Sequence, residues 1–222
     1  MIPLDAARVV PVADRAVLVE FGDEVTDDTI AAVRRFDRRL TAVGVPGLVE
    51  VVPSGVNALV VFDPLVTDHA TVIGAVEPLL GATADDDPVP ELLDLEVRYD
   101  PTSGPDLAEV ARRSGMDTSE VVAAHTAPDY RVVMFGFAPG APYLRSVDER
   151  IRLPRKPTAV RDVPAGSVII AGEQCLLMTV TMPTGWWVIG RVTDLPALGT
   201  EAGERWVDVG DLIRFHPAGA AP

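Results

Sequence analysis

The second half of the chain is a succession of short apolar segments that glycine and proline interrupt at close intervals. "DYRVVM" is followed by "GSVIIAG", "CLLMTVTM", "WWVIGRV" and "RWVDVGDLIRF", each rich in β-branched or aromatic residues. Short strands with this punctuation favour a sheet that closes on itself. The sequence therefore predicts a closed or partly closed β-barrel.

Two short helices are predicted ahead of these strands. "PDLAEVARRSG" has proline at its start and glycine at its end, and "DTSEVVAAHTAP" has Asp117 and Glu120 at the spacing of a capping box. We expect both helices to pack outside the barrel, after a first strand, "LLDLEVRYD".

The first half has a different pattern, which predicts a ββαββα sandwich. Four strand-like segments surround the helix "TDDTIAAVRRFDRRLTAV" and are followed by the helix "TDHATVIGAVEPLLGA". Thr26 is the expected N-cap of the first helix. In the second, Ile73, Val76 and Leu80 are expected to face inward, and Pro78 should bend or shorten it. Both helices should cover one face of an antiparallel sheet.

The segment "GATADDDPVPE", from Gly81 to Glu91, separates the two patterns. Three successive aspartates between small residues and prolines are typical of a solvated connector. We therefore expect an N-terminal α+β domain over residues 1–86 and a β-barrel domain over residues 87–222.

Composition argues against several classes of partner. The formal net charge of −14 disfavours nucleic acid, and no apolar run reaches the roughly 20 residues that cross a bilayer. The N-terminal residues have no signal-peptide pattern. The single cysteine, Cys175, excludes an intrachain disulfide and is expected to be buried and inert, which fits a cytoplasmic location.

The chain offers no self-contained catalytic motif. His69, His125 and His216 lie in unrelated contexts, so no metal site is predicted. Neither a Gly-x-Ser-x-Gly elbow nor a Walker-type phosphate loop occurs. The single lysine, Lys156, lies in "LPRKP", a basic cluster that could receive an anion, although composition bias is the preferred explanation for the lack of other lysines.

The loop "FGFAPGAPYL" follows a predicted buried strand. Prolines fix its backbone, glycines permit unusual conformations, and two aromatic side chains supply contact area. The loop either forms a ligand-binding wall or simply plugs the barrel, and these residues do not decide between the two. Its candidate binding residues are Gly136, Phe137, Pro139, Gly140 and Tyr143.

Three further motifs supply the remaining candidates for a binding site. Arg155 in "LPRKP" could bind a carboxylate or a phosphate, unless it forms a solvated turn. A tryptophan pair in a strand places one ring on each face, so one ring is expected to be exposed unless a ligand or partner covers it. The candidates from these motifs are Arg155, Gly172, Gln174, Gly185, Trp186 and Arg191.

In order and spacing, these motifs resemble a known family. "RYDPTSGPDLAEVARRSG", "FGFAPGAPYL", "LPRKPTAVRDVPAGSVIIAGEQ" and "MPTGWWVIGRV" are similar to the bacterial 5-oxoprolinase subunit designated B, also described as KipI-like or as allophanate hydrolase subunit 1. The resemblance spans about Leu95 to Phe215 and implies a cyclophilin-like barrel. It also implies a larger partner subunit. This chain and that subunit together would resemble the carboxyltransferase portion of urea carboxylase.

The resemblance implies two alternative functions. The first is a non-autonomous subunit of an ATP-dependent hydrolase that opens 5-oxoproline to glutamate, or of a related urea or allophanate system, with ATP bound by the complex rather than by this chain alone. Arg155 would then bind the substrate carboxylate, Gln174 and backbone N–H groups would hold the amide, and Tyr143 and Trp186 would form the wall. The second is a KipI-like inhibitor of a sensor histidine kinase.

Overall fold

The computed structural model describes residues 7–80, 89–195 and 206–219. The chain forms two compact units, which divide between Val89 and Pro90. Most of the predicted connector therefore lies outside the described residues. No described helix combines the length and the apolar character that crossing a bilayer requires.

The first unit is a four-stranded antiparallel sheet with two helices on one of its faces. Its sheet order is β1-β2-β4-β3. The elements are β1 (Arg8–Val12), β2 (Ala16–Glu20), α1 (Asp27–Val43), β3 (Leu48–Pro53), β4 (Asn57–Phe62) and α2 (His69–Leu80). Buried residues of both helices share one core with the sheet, as the predicted sandwich requires.

The helix boundaries of the first unit follow local chemistry. Thr26 caps α1 by accepting a hydrogen bond from the backbone of Thr29, and Gly44 ends the helix with φ +67°. In α2, Pro78 lies within the helix two residues before its end at Leu80. The prediction for the inward face of α2 needs one correction: Val72 is fully buried, whereas Ile73 is half-buried and packs at the edge of the core.

The second unit contains the closed barrel that the sequence predicts. Its seven strands are ordered β10-β7-β6-β13-β5-β12-β9, and β9 pairs with β10 to close the ring. They are β5 (Leu92–Arg98), β6 (Tyr130–Phe135), β7 (Pro142–Arg145), β9 (Ser167–Ala171), β10 (Gln174–Leu177), β12 (Trp187–Val192) and β13 (Leu212–Pro217). Only β13 and β5 are parallel among these pairs.

The second unit also contains two α-helices, a short 3₁₀ helix (Glu149–Ile151) and two further strands. The α-helices and strands are α3 (Leu107–Ser114), α4 (Thr118–Thr126), β8 (Val160–Val163) and β11 (Met182–Thr184). Asp117 and Glu120 form the predicted capping box of α4. Both helices add buried side chains to the barrel core.

The strand predictions fail where the chain leaves the barrel. β8 and β11 pair only with each other in a small ribbon, although the sequence suggested one strand across "CLLMTVTM" and none at β8. "RWVDVGDLIRF" yields only β13. Because a ribbon and a barrel strand have similar composition, the apolar pattern does not distinguish them.

Candidate functional site

The candidate site lies on the outer face of the barrel wall formed by β9, β10 and β12. Val168 and Ile170 of β9 point into the barrel core, so Ile169 and Ala171 lie on the opposite face. A second apolar cluster covers that outer face. Its buried members are Ala141, Val163, Ile169, Ala171, Leu176, Met178, Trp186 and Val188, contributed by the wall, the ribbon and the loop before β7.

This second cluster corrects the expectation for the tryptophan pair. Trp187 lies in the barrel core and Trp186 on the outer face, on opposite sides as predicted. Trp186 is only 6% exposed, however, because residues of the same chain cover it. The sequence predicts a solvent-exposed tryptophan ring unless a ligand or a partner covers it. It does not show that residues of the same chain bury Trp186.

Three predicted residues meet at the rim of this cluster. The rings of Tyr143 and Trp186 are nearly perpendicular with their centroids 5.8 Å apart. The guanidinium carbon of Arg155 lies 5.6 Å from the centroid of the Trp186 ring, within range of a cation–π contact. The exposed Arg155 therefore lies against Trp186, which Tyr143 contacts in turn, and its charge is open to solvent.

The loop from Gly136 to Ala141 is held by side chains from other segments. The Thr179 hydroxyl donates to the carbonyl of Pro139 at 2.7 Å, and the Trp206 indole N–H donates to that of Gly140 at 3.0 Å. Ala141 is fully buried beneath the loop. The loop is thus anchored at its base, and it belongs to the outer cluster rather than to an end of the barrel.

Phe137 at the tip of this loop combines two unusual properties. Its φ of +69° lies in the left-handed region, which is a genuine outlier for a bulky residue. Its side chain is also 47% exposed, although it is large and apolar. Strained, exposed aromatic residues of this kind concentrate at functional surfaces.

A pocket of about 270 Å³ adjoins the outer cluster, with which it shares Val163 and Val188. It lies where the start of α3, β8 and the strands β9 and β12 meet. Its charged lining residues are the cations Lys156, Arg161 and Arg191 and the carboxylates Asp106 and Asp162. Val160, Arg161 and Asp162 form an exposed border on one side.

Lys156 and Asp106 form a largely buried ion pair in this pocket. Their side chains are 9% and 21% exposed, and Nζ lies 2.6 Å from Oδ2. The same oxygen accepts the backbone N–H of Val188 at 2.8 Å, and the backbone N–H of Lys156 donates to the carbonyl of Gly185 at 2.7 Å. The pair therefore ties the "LPRKP" segment to α3 and to β12.

Arg191 and Ser167 line the same pocket from neighbouring strands. They are directly opposite each other in the pairing of β12 with β9, so their side chains share one face. The Ser167 hydroxyl and the Arg191 Nε are both buried, and neither has a hydrogen-bond partner in the part of the chain that the structure describes. Buried polar groups of this kind are normally paired.

The other predicted glycines and Gln174 have backbone roles at the edges of the site. Gly172, with φ +56°, makes the tight turn between β9 and β10, and its N–H donates to the carbonyl of Leu153. Gln174 is exposed at the start of β10. Gly185 accepts from Lys156, and the N–H of Gly136 donates to the carbonyl of Ala141. Of the predicted residues, Arg191 alone lines the pocket.

Lys156, Asp106 and Ser167 are site residues that the predicted set omitted. One signal was present, since Lys156 is the single lysine beside eighteen arginines. Nothing in the sequence marks Asp106, which resembles the N-cap of α3 yet makes no side-chain cap. Its partner is fifty residues away in the chain.

Three titratable groups, His125, Tyr99 and Cys175, lie in or against the barrel core, on the other side of the wall. Burial lowers the pKa of His125 to about 3, and it raises the pKa values of Tyr99 and Cys175. The Tyr99 hydroxyl lies 2.8 Å from Nδ1 of His125. Cys175 is buried as expected. Within the described residues no group of histidine, cysteine and carboxylate side chains could hold a metal ion.

Residues 7–199 match the family model of the carboxyltransferase domain, subdomain C and D. The chain belongs to this carboxyltransferase family. The resemblance inferred from the four motifs is thereby confirmed.

Three curated relatives of this chain are all named as the 5-oxoprolinase subunit designated B. The chain is 33% identical over 218 residues to the relative from Escherichia coli O157:H7, covering 96% of this chain and 97% of the relative. It is 30% identical over 213 residues to the relative from Bacillus subtilis, covering 91% and 89%. Both relatives are named as subunits, which indicates multi-subunit systems.

Solved structures share the fold of this carboxyltransferase family member. TTHA0988 superimposes with a TM-score of 0.82 at 29% identity, and the match covers 94% of this chain but only 41% of that longer one. The Kluyveromyces lactis urea carboxylase matches with a TM-score of 0.72 at 17% identity, over 96% of this chain and 22% of the enzyme. The second likeness supports the fold alone.

Proposed function

We propose that this chain is a non-autonomous subunit of an ATP-dependent amidohydrolase that opens 5-oxoproline to glutamate in the cytoplasm. Its partner is the larger subunit of the same system, which is the 5-oxoprolinase subunit designated C or allophanate hydrolase subunit 2. The names of the curated relatives support this reaction, and they span nearly the whole chain.

The observation that carries the proposal is a small charged pocket with an exposed border. Its lining includes neither histidine nor cysteine, and its lysine is paired with Asp106, so these residues hold no Ser–His or Cys–His pair. The volume of about 270 Å³ lies just below the range of drug-sized sites and suits a small lactam better than a nucleotide. In this proposal the partner covers the exposed border and supplies the catalytic nucleophile and base. The ATP site belongs to the complex and is not formed by this chain alone.

Arg155 is proposed to bind the substrate carboxylate at the rim, with Gln174 and backbone N–H groups holding the amide. Tyr143 and Trp186 would restrict the position of Arg155 through the contacts described above. A guanidinium held in this way loses less conformational freedom when it binds a carboxylate.

The first experiment is co-expression with the larger subunit, followed by an assay of 5-oxoproline hydrolysis with and without ATP. The complex should turn over 5-oxoproline only with ATP, and each chain alone should be inactive. Activity of this chain alone, or an ATP-dependent complex that accepts urea but not 5-oxoproline, would contradict the proposal.

The second experiment replaces single arginines in the complex. Arg155→Ala should abolish turnover without changing the thermal midpoint, whereas Arg112→Ala, on the exposed side of α3, should preserve activity. Full activity of Arg155→Ala would refute its role.

The alternative, a binding module that inhibits a sensor histidine kinase, is favoured by the strained and exposed Phe137. In that case affinity purification from cells should recover a histidine kinase and not the larger subunit. Recovery of the larger subunit in stoichiometric amount favours the enzyme.

A further inference from the structure

The row of side chains across β9, β12 and β5 places two arginines next to each other, of which Arg98 is exposed and Arg191 half-buried. Ser167 lies opposite Arg191, and Arg191 lies opposite Arg98 on its other side. Like charges directly opposite each other in a sheet are destabilising. An anion bound beside this row would remove that repulsion.

Two polar atoms of the row are buried and have no hydrogen-bond partner among the described residues. They are Oγ of Ser167, a residue that is 0% exposed, and Nε of Arg191. A buried donor without a partner destabilises the fold. Both atoms can donate to one oxyanion, the hydroxyl through its proton and Nε through its N–H.

The position of Arg191 is fixed by its neighbours. A Cβ added to Gly166 would lie 3.4 Å from Cγ of Arg191, so the stem of the arginine lies directly over that glycine. Gly166 has φ +81°, which favours glycine in any case. The stem of Arg191 thus lies against Gly166, and its Nε is buried where the residue lines the pocket.

The charges of the pocket also favour an anion. Lys156 and Asp106 neutralise each other, which leaves Arg161 and Arg191 against Asp162 and an excess of one positive charge. An ion bound here would have partial access to solvent through the exposed border at residues 160–162.

We propose that the Ser167–Arg191 pair is the core of an oxyanion site within the pocket, distinct from the rim at Arg155. The chemistry is that of a small carboxylate or phosphate. Inorganic phosphate released from ATP is one source, and the other is the carboxylate of 5-oxoproline, which would contact this pair as well as Arg155; naming either source rests on the proposed function. The oxyanion site itself follows from the described residues of this chain.

The test is binding by the full chain alone, monitored by amide chemical shifts in two-dimensional NMR. Separate titrations use 5-oxoproline, its uncharged analogue 2-pyrrolidinone, and inorganic phosphate, each to 50 mM at constant ionic strength. We expect saturable shifts at Ser167 and Arg191 with 5-oxoproline or with phosphate, and none with 2-pyrrolidinone. The ligand that saturates identifies the source of the oxyanion.

Variants test whether the pair itself binds the ligand. Arg191→Gln and Ser167→Ala should each weaken the binding of that ligand at least ten-fold, whereas Arg112→Ala, on the exposed side of α3, should leave it within two-fold. No saturable binding of either anion, or equal binding of 2-pyrrolidinone, would overturn the assignment. So would wild-type affinity in both pocket variants with unchanged spectra elsewhere.

The outcome is independent of the proposed hydrolase reaction. A complex without 5-oxoprolinase activity refutes the reaction but leaves anion binding measurable. A chain that binds no anion refutes the site even when the complex is active.

Discussion

Nζ of Lys156 and Oδ2 of Asp106 lie 2.6 Å apart, joining two segments separated by fifty residues of chain. Lys156→Met should lower the free energy of unfolding by about 1–3 kcal/mol, between the values for exposed and fully buried pairs. The reason is that Asp106 would keep the backbone N–H of Val188 but lose its counterion.

Urea unfolding measures this change. The control is Glu173→Gln, which breaks the exposed pair of Glu173 with Arg152 and should change the free energy of unfolding by less than about 1 kcal/mol. Equal effects of the two substitutions would mean that the Lys156–Asp106 pair gains nothing from its burial.

Gly104 permits the close approach of the turn before α3 to β12. A Cβ at this position would lie 2.1 Å from the carbonyl oxygen of Ile189, so Gly104→Ala must displace the turn that leads to Asp106. We expect a loss of about 1–3 kcal/mol or more in urea unfolding.

Gly74→Ala is the matched control for that substitution. Gly74 lies inside α2, and a Cβ there would meet nothing within 4 Å. Alanine is favoured over glycine in a helix interior by about 0.5–1 kcal/mol. The thermal midpoint should therefore rise for Gly74→Ala and fall for Gly104→Ala, and a fall in both would contradict the argument.

Stability should decrease on acidification because of His125. Burial holds its pKa at about 3 in the folded protein, against 6.5 for the exposed side chain of the unfolded chain. Above pH 6.5 the residue is neutral in both states and adds no pH dependence. Between pH 6.5 and 3 the unfolded state binds the proton more readily, so stability falls by about 1.4 kcal/mol per pH unit.

Urea unfolding at pH 7, 6 and 5 measures that slope. His125→Gln should flatten it, whatever its effect on absolute stability. A wild-type slope in His125→Gln would assign the pH dependence to other groups.

The loop from Gly136 to Ala141 should open more often when its anchors are removed. Trp206→Phe and Thr179→Val each delete one donor to a loop carbonyl, worth about 1 kcal/mol. Hydrogen exchange of the Gly136 and Ala141 amides should accelerate about five-fold in each variant, since 1 kcal/mol corresponds to that factor. Unchanged exchange would show that buried Ala141 alone holds the loop.

Phe137→Asn tests whether the strained aromatic side chain contributes to binding of the larger subunit rather than to the stability of the fold. Asparagine tolerates a left-handed backbone better than phenylalanine, so the free energy of unfolding should stay within about 1 kcal/mol of wild type. Affinity for the larger subunit, measured by calorimetry, should fall at least ten-fold. Undiminished affinity would exclude Phe137 from that interface.

The sequence by itself determined the order of elements, because helix caps, hydrophobic period and turn residues act over a few neighbouring positions. Thr26 and the Asp117–Glu120 box fix helix starts, and Trp186 and Trp187 must take opposite faces of one strand. These features need no distant partner, which is why the sandwich, the two helices and the barrel could be predicted.

Tertiary structure alone decided what covers each face and which charges meet. The β8–β11 ribbon buries Trp186, and the pocket unites Asp106, Lys156, Ser167 and Arg191 from four separate segments. Their proximity depends on barrel closure and strand register, which join residues far apart in the chain. Local patterns in a sequence contain no information on such pairings. The sequence therefore predicts Arg155 as the anion-binding residue, but it does not predict the buried ion pair of Lys156 with Asp106.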